Sequence, residues 1–300
     1  MMISSIDSYL AFKKTRKAKL VIYTAIASRY DDLVQHRFIS RQFDYVCFSD
    51  EKIEEPGIWE VRQLDTIESD PNRSAKYYKI FPNIVFPEYD YSIWIDANID
   101  IWGPKLENRV LEMMDSGSLI SANVHFARDC AYEEGEVCIQ ANLDDPMIIK
   151  AEMHFLREQG FPEHFGLFEM NIIFRKHNDR RIDGLMSNWW SMICKYSKRD
   201  QISFPYVLKD SSISCEKMFH KNSRFLNDFK YLEHRIMRNG LTRDEQIASL
   251  YKRLAERIGK WIIRIAKIFF PINTLRGKAI QRLLQRSRKA HRMVGAHFFH

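Results

Sequence analysis

The sequence predicts an α/β fold with a mixed, mostly parallel sheet flanked by helices. Short apolar runs rich in Val, Ile, Tyr and Phe alternate with segments of helical length over roughly the first 210 residues. This order is typical of parallel strands joined by crossover helices. A chain of 300 residues with 45% hydrophobic content can also bury the core of one large domain.

The elements follow from local patterns in chain order. The first three strands are predicted at 19–26, 43–49 and 59–64. A helix begins at Asp70-Pro71, because Asp is a good cap and Pro suits the first helical position, and it ends near Pro82. The next strand contains the apolar run at 93–95. Downstream, helices are predicted at 106–116, 146–160 and 181–196, strands at 119–124 and 165–174, and a last helix from Arg199.

Charge divides the chain into a body and a tail. Residues 241–300 hold 14 Lys/Arg against 3 Asp/Glu, a net charge of +11, so the total of +7 leaves −4 for residues 1–240. We therefore predict a folded domain at 1–230 and a basic amphipathic helical tail at 231–300. A protein that coats nucleic acid would spread its positive charge more evenly, so nucleic acid is not an expected partner.

The tail carries an amphipathic basic helix and a second basic helix that follows it. Between residues 247 and 270, Lys and Arg recur at steps of three and four, with Leu, Ile, Trp and Phe on another face. A second basic helix is predicted from Thr274 to about Met293. The pattern favours an anionic membrane surface bound through residues 247–293. Two alternatives stay open. The helices could pack on the body of the same chain, or they could pack on another subunit and so form an oligomer.

The remaining composition favours a cytoplasmic protein. The five cysteines are odd in number and form no Cys-x-x-Cys pair, which argues against a disulfide framework or a zinc site. No run of about 18 apolar residues is present, and the first 19 residues lack the pattern of a secretory signal. We expect a protein that lies peripherally on the inner face of the plasma membrane.

The segment around Asp96 is the strongest chemical signal. An apolar strand runs into Asp96, Asn98 and Asp100, three oxygen-bearing side chains at alternate positions. Alternate residues of an extended chain point to one face. Oxygen ligands suit Mg²⁺ or Mn²⁺, which commonly bridge carboxylates to substrate phosphates. A simple turn, in which Asp and Asn are frequent, explains the same residues.

Seven motifs lie in order along the chain, at 23–31 (YTAIASRYD), 44–50 (DYVCFSD), 73–79 (RSAKYYK), 91–98 (YSIWIDAN), 125–134 (HFARDCAYEE), 169–177 (EMNIIFRKH) and 199–204 (RDQISF). Together they resemble a glycosyltransferase-like family, first catalogued as a domain of unknown function, found in bacterial polysaccharide gene clusters and in plant cell-wall or mucilage synthesis. The resemblance covers roughly residues 19–210. The family commonly has an aromatic residue and Gly where this chain has Ala27 and Ser28, and Pro where it has Phe126.

The resemblance implies a GT-A-type, Rossmann-like nucleotide-diphospho-sugar transferase with a divalent metal. Asp96 and Asn98 correspond to the Asp-x-Asp metal motif, while Asp100 is left as a strand-end residue. His220 is the candidate for a late metal ligand. The expected cofactor is Mn²⁺ or Mg²⁺, and the expected donor is a UDP-sugar.

The other candidate residues belong to the donor, acceptor and catalytic positions. Residues at strand ends or on a cationic helix face are expected to bind the donor or acceptor: Thr24, Ala25, Tyr30, Asp50, Arg73, Lys76, His125, Arg128 and Asn171. Asp200 and Gln201 resemble the Asp-Gln pair of some retaining transferases. If the enzyme inverts, Asp200 or Glu169 is the expected base. The stereochemistry stays open.

The expected function is metal-dependent transfer of a hexose onto a polysaccharide or lipid-linked glycan, such as a capsule or O-antigen. Two alternatives remain. A hydrolase of glycosidic or lipid amide bonds would use carboxylate pairs such as Glu133/Glu134 or Asp96/Asp100. A nucleic-acid-binding protein would use the basic tail.

Overall fold

The computed structural model describes residues 20–235. The two basic helices of the tail, and the membrane surface assigned to residues 247–293, lie outside the described residues. The predicted boundary between body and tail at 230/231 stays a prediction. Residues 231–235 lie within the described part and contact the body, as shown below.

The described strands are β1 (Leu20–Ile26), β2 (Asp44–Ser49), β3 (Glu60–Gln63), β4 (Tyr91–Ile95), β5 (Ile99–Ile101), β6 (Ile120–Val124), β7 (Phe168–Lys176), β8 (Glu216–Lys217) and β9 (Phe229–Tyr231). Seven of them form a central sheet in the order β3-β2-β1-β4-β7-β6-β8. β1 is parallel to β2 and β4, β2 to β3, and β6 to β8, whereas β7 is antiparallel to both β4 and β6. A separate antiparallel pair joins β5 to β9.

Seven described helices accompany the strands. They are α1 (Pro71–Ile80), α2 (Pro82–Val85), α3 (Lys105–Ser116), α4 (Ala131–Gln140), α5 (Pro146–Glu158), α6 (Arg180–Lys195) and α7 (Asp200–Lys209), with a 3₁₀ turn at Ser223–Phe225. The Asp70 side chain caps α1 by accepting from the Asn72 amide at 2.9 Å, with Pro71 in the first turn. None of the helices within residues 20–235 is long and apolar enough to cross a membrane.

The sheet separates two hydrophobic clusters. Along β1, Val21 and Tyr23 join one cluster, while Leu20 and Ile22 join the other, as the two-residue period of a strand requires. Residues from α4 to α7 contribute to the first cluster, and residues from α3 to the second. Because β1 is covered on both faces, it is a continuous apolar run rather than an alternating one.

The predicted α/β class with a mixed, mostly parallel sheet is confirmed. The predicted strands and helices lie within a few residues of the observed ones. Helices α2 and α4 and the short strands β5, β8 and β9 were not predicted. The strand order reverses at β1: β2 and β3 lie on one side of it, and β4 and the later strands of the sheet lie on the other. The carboxyl ends of β1 and β4 therefore border a crevice of the kind that holds ligands in open α/β sheets.

Candidate functional site

A cavity of about 350 Å³ lies at the carboxyl ends of β1 and β4. Its walls come from the loop after β1, from α1, from the turn after β4, from β7, and from the start of α7. Five cationic side chains face three carboxylates in it, so it favours an anionic ligand. The cations are Lys76, Lys79, Lys198, Arg199 and Arg224, and the carboxylates are Asp31, Asp96 and Asp200.

Asp96 lies in this cavity, at the first position of a turn. The Ile99 amide donates to the Asp96 carbonyl at 3.0 Å, so the strand ends at Ile95 and does not continue to residue 100. The expectation that Asp96, Asn98 and Asp100 share one face of an extended strand was therefore wrong. The Asp96 amide donates to the Asn171 carbonyl, and the Trp94 indole donates to Asp96 Oδ1 at 2.7 Å. These bonds fix the carboxylate at the cavity edge.

Asn98 lies beside a histidine from the end of the described chain. Its amide Nδ2 donates to the Leu232 carbonyl at 3.0 Å and lies 3.5 Å from His234 Nε2. On the other side of that ring, His234 Nδ1 lies 3.0 Å from both carboxylate oxygens of Asp31. The Asp31 carboxylate raises the pKa of His234, against the opposite effect of burial. A carboxylate behind one ring nitrogen is the arrangement that orients a metal-binding histidine through the other.

The donor set fits a hard divalent cation held by few protein ligands. Asp96 and His234 provide a carboxylate and an imidazole, and Asn98, whose amide nitrogen donates to the Leu232 carbonyl, has its side-chain oxygen left as a further donor atom. Within residues 20–235, no group of three or more His, Cys, Asp and Glu could hold a metal by itself. Such a site therefore needs ligand oxygens to complete it, as Mg²⁺ sites that bind phosphates do.

Asp200 anchors the cationic wall. It begins α7, is 4% exposed, and its Oδ2 lies 2.7 Å from Lys79 Nζ and 2.9 Å from Lys76 Nζ. Burial favours protonation of Asp200, but the charges of Lys76, Lys79 and Arg199 outweigh it and hold the pKa well below its usual range. The carboxylate is thus a poor general base, which argues against the base role considered for it.

Lys79 also reaches towards the metal motif. Its Nζ lies 3.6 Å from Asp96 Oδ1 and 5.3 Å from the centre of the Trp94 ring. Burial lowers the pKa of Lys76 to about 8, with Asp200 opposing this and Lys79 adding to it. The two lysines and Asp200 therefore form one coupled charge cluster inside the cavity.

Glu169 is buried and fully engaged. Its Oε1 accepts from Arg224 Nε at 2.6 Å, and its Oε2 accepts from the Asn222 amide at 2.6 Å. With both oxygens bound, Glu169 is not available as the acceptor base considered for it. It holds Arg224, which lines the cavity.

Arg73 does not belong to the cavity, although it shares a helix face with Lys76 and Lys79. Its guanidinium donates to the Ile193 carbonyl and, at 2.7 Å, to the Tyr196 carbonyl. These carbonyls lie at the end of α6, where helical hydrogen bonding leaves acceptors free. Arg73 therefore joins α1 to α6, and Lys79, which the sequence analysis left out of the site, takes its place in the cavity.

The predicted nucleotide-binding residues after β1 and β2 divide into two groups. Ala25 and Tyr30 line the cavity, but Thr24 is fully buried and its hydroxyl has no hydrogen-bond partner among the described residues. Asp50 accepts from the Ser28 amide with both oxygens, at 3.0 and 2.8 Å. Its carboxylate fixes the turn after β1 instead of facing the cavity.

That turn is left-handed without glycine. Ser28 and Arg29 have φ of 52° and 53°, and the Tyr30 amide donates to the Ala27 carbonyl at 3.0 Å. Such φ values are strained for side-chain-bearing residues. Asp50 and the Arg29–Glu51 ion pair stabilise the turn, so it forms without glycine.

His125 and Arg128 have structural partners. The Ala127 and Arg128 amides donate to His125 Nδ1 at 3.3 and 3.0 Å, and burial lowers the pKa of His125. Arg128 Nε donates to Glu134 at 2.7 Å. Neither residue lines the cavity, so the structure does not support direct donor binding by them. Asn171 and Gln201 do line it.

His220 and the predicted carboxylate pairs are not assembled at Asp96. His220 is exposed and lines a separate cavity of about 870 Å³ between α3 and the segment around β8. Asp100 instead accepts from the Arg37 amide at 3.0 Å and from the Trp102 indole at 2.5 Å, so it does not pair with Asp96. Glu134 is buried on Arg128 while Glu133 is exposed. The arrangement expected for a two-carboxylate hydrolase is absent from these predicted pairs.

The structure adds residues that sequence reasoning missed. Arg199 belongs to a motif that was noted, and Lys198 precedes it, so a charge count around Asp200 could have found both. Asp31 and His234 are 203 positions apart, and Arg224 lies beyond the matched motifs. No local pattern marks such pairs.

Comparison with known proteins places the chain among glycosyltransferase-like proteins. The sequence profile of the TOD1/MUCI70, glycosyltransferase-like domain matches residues 8–237. The probable hexosyltransferase MUCI70 of Arabidopsis thaliana is 23% identical over 215 residues, covering 63% of this chain and 37% of that protein. The chain thus spans well under two thirds of that relative's length.

Solved structures show weaker likeness. The apo WbbM bifunctional glycosyltransferase aligns at 12% identity with a TM-score of 0.36, covering 63% of this chain and 37% of its own. Apo mouse xyloside xylosyltransferase 1 aligns at 11% identity with a TM-score of 0.35, covering 63% of this chain and 79% of its own. The mannosyltransferase Ktr4p of S. cerevisiae aligns at 8% identity with a TM-score of 0.31, covering 64% of this chain and 62% of its own. Scores this low support no argument about substrate or mechanism.

Proposed function

Because the chain belongs to the TOD1/MUCI70 glycosyltransferase-like family, we propose that it is a hexosyltransferase whose donor, a nucleoside diphosphate sugar, binds in the cavity at the ends of β1 and β4. The observation that carries the proposal is the charge of this cavity. Five Lys and Arg side chains face three carboxylates at a sheet edge that suits ligand binding. A diphosphate suits these five cations, two of which, Lys198 and Arg224, also pair with Asp70 and Glu169 just outside the lining.

The chain's own cations would stabilise the departing nucleoside diphosphate. Lys79 and Lys76 are held by Asp200, and Arg224 by Glu169. Positioned cations of this kind lower the energy of developing negative charge, because they need no reorganisation during the reaction. Tyr30, whose ring lies 4.9 Å from that of His234, offers an aromatic surface for the nucleotide in the same cavity.

Asp96, Asn98 and His234 would hold a divalent cation, Mn²⁺ or Mg²⁺, in this proposal. Its support is the Asp31–His234 pair beside Asn98 and the position of Asp96 at the cavity edge. When bound, the cation would neutralise charge on the two phosphates. His234 replaces His220 in this role.

The acceptor proton has no free carboxylate to receive it in the described part of the cavity. Asp31 is bound to His234, Asp96 to Trp94, and Asp200 to two lysines. We therefore infer that the acceptor hydroxyl attacks the anomeric carbon as the bond to the diphosphate breaks, and that its proton passes to a departing phosphate oxygen. The acceptor itself, a polysaccharide or lipid-linked glycan, is proposed from the family alone.

A thermal-shift screen of nucleotide sugars, with and without Mn²⁺, tests the proposal. A ligand that binds the native state raises the melting temperature. Lys79→Met should remove the shift, because it deletes a cation that faces the diphosphate. Lys209→Met, at the exposed end of α7, is the matched control and should keep it. No shift with any nucleotide sugar, or equal shifts in both variants, would contradict the proposal.

A further inference from the structure

Two phenylalanines stand exposed beside the cavity. Phe126 is 49% exposed and follows β6, and Phe225 is 66% exposed and ends the 3₁₀ turn. Their ring centres are 6.4 Å apart and the ring planes are inclined by 70°. We call this pair the aromatic platform. Exposed, adjacent aromatic side chains on a folded domain commonly mark a binding surface.

The platform is mounted on well-bonded structure. The Phe126 ring stacks on the buried His125 ring at 5.3 Å with an angle of 24°. Phe225 is held by the turn, in which its amide donates to the Asn222 carbonyl at 2.9 Å. The Asn222 side chain also donates to the Val124 carbonyl at 2.8 Å and to Glu169 at 2.6 Å. The rings thus lose little additional freedom when a ligand packs on them.

Arg224 connects the platform to the cavity. Its guanidinium carbon lies 5.3 Å from the centre of the Phe126 ring and 4.2 Å from that of Tyr231, and the same side chain lines the cavity. Arg224 Nε is bound by Glu169. Among residues 20–235, no partner is found for the outer nitrogens of its guanidinium. A ligand on the platform would therefore lie next to the group that faces the donor.

We propose that Phe126 and Phe225 form the acceptor subsite, on which pyranose rings of a glycan stack while the reacting hydroxyl reaches the cavity past Arg224. A pyranose ring presents a face of C–H groups that packs on an aromatic ring, and its edge carries hydroxyls that suit the Arg224 guanidinium. This proposal rests on the proposed transferase function. It assigns the exposed rings to the acceptor and leaves the donor to the cations.

Native gel electrophoresis through defined polysaccharides tests the subsite without a known acceptor. The probes are dextran, xylan, polygalacturonate and a β-glucan. They include neutral and acidic pyranoses, and both α- and β-glycosidic linkages. The full chain is compared with Phe126→Ala, Phe225→Ala and the double variant. Ile84→Ala, which removes an apolar side chain that is 55% exposed on α2, is the matched control. Phe126→Tyr/Phe225→Tyr retains both aromatic faces.

At least one polysaccharide should retard the wild-type protein. Each Ala variant should weaken that binding by roughly three- to tenfold, and the double variant by more, since each ring contributes its own stacking surface. The Ile84 variant and the double Tyr variant should bind as the wild type does. Melting temperatures should stay close to the wild-type value, because the deleted rings are exposed.

Retardation by none of the probes, or unchanged retardation in the double Ala variant, would overturn the subsite. A double Ala variant that kept its glycan binding but lost self-association or vesicle binding would also overturn the subsite. The aromatic platform would then bind a second copy of the chain or a membrane rather than a glycan. Donor binding separates this proposal from the proposed function. The Ala variants should keep the melting-temperature shift given by a nucleotide sugar, whereas a wild-type protein without any such shift would contradict the transferase function alone.

Discussion

One buried carboxylate controls the cationic wall of the cavity. Asp200 is within 2.9 Å of both Lys76 and Lys79, and the charges around it keep it ionised despite burial. Its contribution is therefore to position and partly neutralise two lysines. Because Asp200 balances part of their charge, Lys76 and Lys79 can lie close together, and an anionic ligand can then compete with Asp200 for them.

Asp200→Asn should destabilise the fold by about 3–5 kcal/mol, because it removes the nearest counter-charge of buried Lys79 and half-buried Lys76. Asp210→Asn, at the exposed end of the same helix, should change stability by less than about 0.5 kcal/mol. Urea unfolding monitored by circular dichroism measures both. The Asp200 contribution should be present above pH about 4 and be lost as the pH falls below it, since the folded pKa is depressed. Equal stability of the two variants would contradict this role.

The lowered pKa of Lys76 predicts that donor affinity falls at alkaline pH. Burial lowers its pKa to about 8, so the free protein loses this positive charge as the pH rises further. The dissociation constant of a nucleoside diphosphate should then increase by up to about tenfold per pH unit above that value. Lys76→Arg stays charged and should flatten the profile. Calorimetric titration between neutral pH and about pH 9.5 measures it, and identical profiles for both proteins would refute the assignment.

At this scale the sequence predicted the residues that lie next to a strong local pattern. Asp96 follows an apolar strand and was found in the cavity, and Lys76 and Asp200 were found there too. Arg73 and Lys79 share one helix face, and only their distant neighbours decide that the first binds α6 and the second faces Asp200. His234 was missed for the same reason, because its partners are Asp31 and Asn98.

Helix α1 is fixed at both ends, and this determines where its lysines point. Asp70 caps its start and also lies 2.9 Å from Lys198 Nζ. At its end, the buried Arg175 guanidinium donates to the Ile80 carbonyl at 3.2 Å and to the Tyr23 hydroxyl at 2.6 Å. The Tyr23 hydroxyl in turn donates to the Lys79 carbonyl at 3.0 Å. The core thus positions the backbone of the lysine that faces Asp96.

Tyr23→Phe should cost about 1–3 kcal/mol of stability, because it keeps the ring but removes the hydroxyl that pairs with Arg175 Nη2 and with the Lys79 carbonyl. Tyr132→Phe removes a hydroxyl that donates only to the Phe161 carbonyl at 2.7 Å, and it should cost less. The midpoint of urea unfolding, at constant slope, measures the difference. A Tyr23 variant as stable as the Tyr132 variant would show that Arg175 does not depend on this hydroxyl.

Elements with strong local signals were predicted, and elements made by distant pairing were not. Asp70-Pro71 marks the start of α1 in the sequence as in the structure. β5 has three residues and exists because residues 229–231 pair with it from more than a hundred positions away. Helix α4 begins at Ala131 after Cys130, which provides no side-chain cap, so its start lacks a sequence signal. The turn at Asp96 interrupts what the alternating pattern indicated as one strand.

Charge divides the sequence into a mildly acidic body and a basic tail. The described lining of the cavity comes from residues 25–234, so of the predicted tail at 231–300 it includes His234. We propose, from the sequence, that residues 247–293 bind an anionic membrane surface and place the enzyme at the inner face of the plasma membrane.

A chain ending at residue 236 should therefore bind nucleotide sugars as the full chain does and lose binding to phosphatidylserine vesicles. The full chain should bind such vesicles in a salt-dependent manner, since each basic residue near the surface contributes about 1 kcal/mol. Vesicle co-sedimentation and thermal shift measure the two properties. Retained vesicle binding by the shortened chain would refute the role given to the tail.

The central claim is that Asp96 holds a divalent cation for a nucleoside diphosphate in the cavity. The most direct test is calorimetric titration of UDP, with and without Mn²⁺, into the wild-type protein, Asp96→Asn and Asp100→Asn. Asp100 is the matched control, because it lies in the same segment but binds Arg37 and Trp102. Mn²⁺ should strengthen UDP binding to the wild type and to Asp100→Asn. In Asp96→Asn, the factor by which Mn²⁺ strengthens UDP binding should be smaller by roughly tenfold or more. An unchanged gain in Asp96→Asn, or an equal loss in Asp100→Asn, would contradict the claim.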